Sequence, residues 1–406
     1  MKISNNKIHW FNPGHEDAVR TNNPHYTPPA SVCRMMTDLE ILPVWYGNEN
    51  DYVIVNEAKE TSRFLLSLPT AIRPAAIPVL PSELSISEPV EAASWGLSPH
   101  SIRYFETLRA QNENIAVPPW KEKFKELTGR QTALKCLKKI CALLPEDFKN
   151  LSPPRFCATT GEIREYITAF PPPYILKTPY SCSGRGLFRL PARDLDLQAT
   201  RWIEGALKKQ DVISIEPLLD KVCDFAMEFE SDGKGNISFK GLAVFNTISK
   251  GTYYGNLLGS QTVLENHLSA LIQIAQLRTI QETLIPVLAE EIGYDYRGYL
   301  GVDMLVYRKD NMYLIHPMIE INLRYTMGLV ALQLSNRWIH PASQGQLIIT
   351  FNKDPKKTTN MHLQMKAKYP LHLSGAQIRS GYLSLCPVLP HSQYLAYMNI
   401  QTLTGF

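Results

Sequence analysis

The sequence predicts a multidomain protein of mixed α/β and α+β class. Its 406 residues exceed what one hydrophobic core comfortably serves. Short apolar runs alternate with polar, partly helical stretches through the first 120 residues. Farther along, two long apolar segments fold back on themselves through turn-forming residues. Apolar residues make up 44% and charged residues 20%, ordinary for a globular chain that folds unaided.

The first strand is read at residues 7–11, KIHWF, which stops at the turn cluster Asn12-Pro13-Gly14. The apolar runs at 42–47, 51–56 and 77–81 continue a small α/β domain, and a short helix ends near Arg109. Pro118-Pro119 cannot sit inside a helix and marks a boundary near residue 120. Thr128 is the expected cap of a helix whose apolar face is Ala133, Leu137, Ile140 and Leu144, with Pro145 ending it. A strand then delivers Lys177 into the loop KTPYSCSGRGLF, and a polar helical stretch at 194–209 leads to the strand VISIEP at 212–217.

Next, DFAMEFE and SFKGLAVF flank the turn SDGKGN, a strong hairpin pattern. Helices are expected at 263–276 and 278–292, the second lined by Ile280, Leu284, Val287 and Leu288 and ended by a left-handed Gly293. A second hairpin joins YLGVDMLVY to MYLIHPMIEINLR through RKDN. The expected divisions are an α/β domain at 1–120, a glycine-loop lobe at 121–210, a hairpin lobe at 211–350 and a closing strand-and-loop segment at 351–406.

A net charge of +4 without any basic run argues against a nucleic-acid partner. No stretch approaches 18 uninterrupted apolar residues and the start has no apolar leader, which argues against membrane insertion and export. Seven cysteines fall in no Cys-x-x-Cys pair, so reduced thiols and a cytoplasmic location are expected, with Cys136 and Cys141 as small core residues.

The second hairpin carries the chemistry. Strand alternation puts Glu320 and Asn322 on one face, about 7 Å apart. If Asp310-Asn311 is a two-residue turn, Asp303 lies opposite Met318 and diagonal to Glu320 on that face. Three hard oxygen donors suit magnesium, whose remaining positions are filled by water and phosphate. Arg324 falls on the same face if the strand continues, where it can grip an anion. A solvent-facing polar strand would look similar, but an unpaired charge inside MIEI would cost several kcal/mol.

Lys177 and the loop 178–186, with Ser181, Ser183, Gly184 and Gly186, can wrap phosphate oxygens. Ordinary hairpins share that pattern, and neither the Walker nor the dinucleotide fingerprint is present. Glu216-Pro217-Leu218 ends a strand where backbone groups can meet an adenine edge, with Asp220 for ribose hydroxyls; a plain polar turn fits equally.

Taken in order, the strand ending in Lys177, SGRG, ISIEP with Asp220, GVDM and IEINLR resemble the ATP-grasp superfamily over roughly residues 125–335. The resemblance implies two α+β lobes around ATP, preceded by a small Rossmann-like domain. It implies Lys177 on the phosphates, the loop 181–186 as a lid, 216–218 at adenine and Asp220 at ribose. Asp303, Glu320 and Asn322 would bind one or two Mg2+ ions, and Arg324 would meet the transferred phosphate, making Lys177 and Arg324 catalytic. A second lysine usual in the family falls here on Arg130, and extra residues stand around His316-Pro317.

The implied activity is that of a carboxylate–amine or carboxylate–thiol ligase, which forms an acyl phosphate for attack by an amine or similar nucleophile. Its partners would be small-molecule or peptide carboxylates and amines, and the resemblance is compatible with a homodimer. A kinase of the same fold and a nucleotide-binding protein without turnover are the alternatives. His15 and Glu16, after the first strand, are candidate substrate contacts. So are Lys250 and Asn256 in SKGTYYGN. A solvated turn and core aromatics fit those two segments as well.

Overall fold

The computed structural model describes residues 6–403 except 149–150, 182–183, 185 and 249–250. The chain forms two compact units: residues up to Lys121 with Tyr254–Leu264 and Arg324 onward, and Glu122–Tyr253 with Glu265–Leu323. Residues 324–406 therefore return to the N-terminal unit, where the sequence suggested a hairpin lobe running to 350 and a separate closing segment.

The first unit opens with a parallel sheet made of Lys7–Trp10, Tyr52–Ile54, Ile77–Val79, Val90–Ser94 and Ile115–Ala116. Its spatial order is third, second, first, fourth, fifth, so the winding reverses between Lys7–Trp10 and Val90–Ser94. Such a reversal leaves a crevice outside the carboxyl ends of the two central strands. Buried His9 and Asp51, 3.1 Å apart, tie the first strand to the second. The apolar run at 42–47 is no strand; Leu42–Trp45 is a short 3-10 turn whose four residues are all buried.

The same unit holds antiparallel strands in which residues 254–258 of the strand Thr252–Leu258, then Ser343–Phe351, Tyr394–Thr402, Gln377–Ser384 and His372–Ser374, neighbour one another in that order. One core serves both sheets, with Trp45, Val53 and Val55 packed among Leu334, Leu347, Leu385, Leu395 and Met398. The indole of Trp45 donates to the Leu385 carbonyl at 2.7 Å.

In the second unit, Arg155–Cys157, Ile213–Pro217, Tyr174–Lys177 and Leu187–Leu190 form an antiparallel sheet. Ile163, Ile203, Tyr174, Leu176 and Ile215 fill the space between it and the helices Thr160–Ala169 and Leu197–Gln210. A second antiparallel set runs Met312–Asn322, Arg297–Lys309, Asp220–Asp232 and Ile237–Ile248. The helices Arg130–Leu143 and Ile274–Glu291 are joined by Lys135 and Lys139, 2.6–2.7 Å from Glu290 and Glu291.

Two local expectations are corrected. Gly129, not Thr128, caps the helix Arg130–Leu143, while the Thr128 hydroxyl donates to the Phe124 carbonyl at 2.7 Å and closes the preceding helix. Gly293 is not left-handed; a Cβ there would lie 2.7 Å from the Ala289 carbonyl oxygen, so close approach explains the glycine. Among the described residues the cysteines are free, and no helix is long and apolar enough to cross a membrane.

Candidate functional site

The second hairpin turns at Asp310 and Asn311, with φ of 49° and 63°, the left-handed pair a tight two-residue turn requires. Pairing is regular from Lys309 with Met312 to Leu305 with His316, and then shifts. Asp303 stands directly opposite Glu320, not opposite Met318 as simple counting predicts. The cause lies at Pro317, which has no N–H to give the ladder, so Pro317 to Ile319 bulge out against Met304. Met318 uses the bulge to bury itself at 2% exposure.

The shift brings the two carboxylates closer than the regular register would. Asn322 donates from Nδ2 to Asp303 Oδ2 at 3.1 Å, so all three predicted oxygen-bearing side chains share one face. The strand ends at Asn322, and alternation no longer carries Arg324 onto that face. Arg324 belongs to the first unit, where its Nε donates to Glu16 Oε1 at 2.7 Å.

Arg130 links three parts of the second unit. Its Nε donates to the Thr178 carbonyl at 3.1 Å, and its Nη2 reaches Ser181 Oγ at 3.3 Å and Glu320 Oε2 at 3.0 Å. The carboxylate face and the loop after Lys177 are thus held together by one guanidinium, whose side chain is 9% exposed. Lys177 is itself buried and forms an ion pair with the buried Glu216 on the neighbouring strand.

The loop closes when the Thr178 amide donates to the Gly186 carbonyl at 2.9 Å. A Cβ on Gly186 would sit 2.1 Å from Thr178 Oγ1, and Gly184 has a φ of +73°, so both positions demand glycine. Ser183 lies outside the described residues. Leu218 donates its amide to the Pro173 carbonyl at 2.8 Å. Asp220 is exposed and held by two prongs from Arg308, at 2.9 and 2.8 Å.

His316 was not singled out from sequence, although a histidine inside an apolar strand four residues before Glu320 is a readable signal. It is 4% exposed, and burial pushes its imidazole down to about 4, with Lys177 lowering it further and Glu216 opposing. The ring is neutral near pH 7, and its Nδ1 accepts from the Met318 amide at 3.4 Å.

Among the described residues no group of three or more His, Cys, Asp or Glu side chains could hold a metal ion. Asp303 and Glu320 are two carboxylates backed by an amide, which fits an ion completed by water and phosphate and does not fit a closed protein cage.

The predicted substrate residues fall in the first unit or outside the description. Lys250 is outside it, and Asn256 sits 1% exposed in a strand opposite Leu347. His15 and Glu16 open a short helix just past the first strand, at the point where the winding reverses. Asn12 exchanges two hydrogen bonds with Gly96, at 2.8 and 3.2 Å, and so pins the end of the first strand to that of the fourth. Burial pushes the Glu16 carboxyl up, but His15 and Arg324 together outweigh it and hold it below the usual carboxylate range.

No protein-family model matches this chain, and no curated protein sequence does either. Solved structures do match in fold. The biotin carboxylase domain of the Hydrogenobacter thermophilus 2-oxoglutarate carboxylase, solved with MgADP, ADP and bicarbonate, aligns at a TM-score of 0.54 and 13% identity, covering 97% of this chain and 85% of that one. Biotin carboxylase from Campylobacter jejuni, in complex with β-γ-ATP, aligns at 0.52 and 12%, covering 97% and 87%. N5-carboxyaminoimidazole synthase from Aspergillus clavatus, with ADP and 5-aminoimidazole ribonucleotide, aligns at 0.50 and 11%, covering 98% and 95%. Identities this low carry the architecture alone, and that architecture, a Rossmann-like parallel sheet followed by paired α+β elements, is the fold of the ATP-grasp superfamily.

Proposed function

We propose that the second unit binds ATP with Mg2+ and that the protein uses them to activate a carboxylate for attack by an amine or similar nucleophile. The observation that carries this reading is the single face bearing Asp303, Glu320 and Asn322, joined through Arg130 to the loop that follows Lys177. The solved structures of like fold were crystallised with ATP or ADP, one of them with its magnesium salt, which supports the choice of ligand.

In this reading Lys177, Arg130 and the loop with Ser183, Gly184 and Gly186 receive the phosphates. Glu216, Leu218 and Asp220 border the nucleoside, and Asp303, Glu320 and Asn322 hold the metal. Bound ATP supplies the phosphoryl group and magnesium the countercharge for its transfer. The chain's own contribution is to hold and neutralise: Arg130 is paired with Glu320 and Lys177 with Glu216, so both cations are held in place. The carboxylate oxygen of the substrate would displace ADP from the terminal phosphorus, and the nucleophile would then displace phosphate from the acyl carbon.

Two measurements test it. Calorimetric titration should show Mg-ADP binding, weakened at least tenfold in Asp303→Asn, and ADP release should depend on supplying both an acid and an amine. A protein that binds no Mg-ADP would end this reading. ADP release with an acid alone, leaving a stable phosphorylated product, would replace the ligase with a kinase.

A further inference from the structure

At the reversal point of the parallel sheet two adjacent ionisable side chains are buried with three of their four polar atoms unmatched by a hydrogen bond. His15 is 3% exposed and Glu16 7%. Neither ring nitrogen of His15 makes a hydrogen bond, nor does Glu16 Oε2. The 3.4 Å approach of His15 Nδ1 to that oxygen is not aligned as one. Buried polar atoms are ordinarily satisfied, because each unmet one costs about 1–3 kcal/mol, so several side by side mark a place completed by something else.

The surroundings hold this corner open and fixed. Gly14, at a φ of +77°, turns the chain into the helix that starts with His15. Gly96 leaves room for the imidazole, since a Cβ there would lie 2.2 Å from His15 Cγ. Trp95 and Tyr325 stack at 6.1 Å, and the Tyr325 amide donates to the Trp95 carbonyl at 2.9 Å. That bond seats Arg324, the preceding residue, with its guanidinium on Glu16 Oε1.

We propose that His15, Glu16 and Arg324 form a binding site for the ammonium group of an amino acid, Glu16 Oε2 accepting from the ammonium while Arg324 fixes the carboxylate from behind. A buried carboxylate with one oxygen satisfied by arginine and the other beside His15 but without a hydrogen bond has acceptor capacity to give and nothing to donate, so the complementary ligand group is a cationic donor. The two ring nitrogens of His15, neither of them hydrogen-bonded, can meet the polar remainder of an amino acid. Arg324 is then a positioning residue of this corner. The proposal deepens the ligase reading, on which it rests for the use made of the amine, by naming the class of nucleophile or acid that carries it.

The test titrates each of the twenty standard amino acids into the full-length protein by calorimetry, with and without Mg-ADP. The N-acetyl counterpart of every binder is then titrated in the same way. At least one amino acid should bind, with its acetylated form at least tenfold weaker, and Glu16→Gln should weaken it at least tenfold while melting as the parent does. If Glu16→Gln fails to fold, the acetylation comparison and His15→Asn decide alone. Failure of all twenty to bind, leaving the corner to water, overturns the proposal, as does equal binding of acetylated forms or of Glu16→Gln. Mg-ADP titrated by itself separates the two readings: its failure beside a bound amino acid removes the nucleotide site and leaves this one standing.

Discussion

Lys177 and Glu216 are each about as buried as a core leucine, and each is the other's compensation. Removing only the lysine leaves a buried carboxylate unpaired, at a cost of about 3–5 kcal/mol. Lys177→Met should therefore lower the chemical denaturation midpoint sharply, and adding Glu216→Gln should restore most of the loss, because a neutral pair of similar volume needs no countercharge. Mg-ADP affinity should not return in the double variant if Lys177 also grips phosphate. Recovery of stability and nucleotide affinity together would take Lys177 out of the site. Glu320 behaves differently. It is partly exposed, and an amide in its place still accepts from Arg130. Glu320→Gln should thus melt within a few degrees of the parent while ADP release falls by about two orders of magnitude, the scale of losing one charge-stabilising group. Unchanged ADP release would show that the hairpin face does not handle the reaction's charge.

The hairpin that bears these carboxylates shows which parts of a structure can be read ahead of it. Its turn was legible in Asp310-Asn311, because few other pairs accept two left-handed residues. The sharing of a face by Glu320 and Asn322 was legible from alternation, and Asp303 joined them through the two-residue turn. The register was not: a bulge at Pro317 depends on whether Met318 finds a buried place, which is a matter of packing. The same holds for Arg130, whose type suggested only a replaced lysine, while its three partners come from segments up to 190 residues away. His316 makes the hairpin sensitive to acid. Its folded imidazole titrates at about 4 against an ordinary 6.5, so the folded state resists protonation that the unfolded state accepts. The sign follows: no loss occurs above pH 6.5, and stability falls as pH drops from there towards 4, by about 3 kcal/mol in total. Denaturation midpoints of the parent at pH 7 and 4.5, set against those of His316→Gln, measure this. A variant with the parent's full pH dependence would place the acid sensitivity elsewhere.

Over the whole molecule, the alternation of apolar runs predicted a small α/β domain at the start, but nothing local announced that residues 324–406 would come back to it. Trp45 and Leu385 meet across 340 residues of sequence, and Asp38 Oδ2 accepts from the amides of Gln393 and Tyr394, each at 2.9 Å. Contacts of that span are chosen by shape and burial once both partners exist, so periodicity does not show them. They have an energetic consequence. Ile378, Leu383, Leu385, Leu395 and Met398 are each at most 6% exposed. At roughly 1.5–3 kcal/mol per buried side chain, five of them match the entire stability of a typical domain, about 5–15 kcal/mol. A chain ending at residue 350 should therefore lose the first unit altogether, including the parallel sheet at its far end, and not merely a peripheral flap. Hydrogen exchange would report it: the amides of Lys7–Trp10, central in that sheet and protected in the full chain, should exchange at unfolded rates in the shortened one. Persistent protection there would mean that the N-terminal α/β layer stands by itself and that the core it shares with the last strands contributes little to holding it.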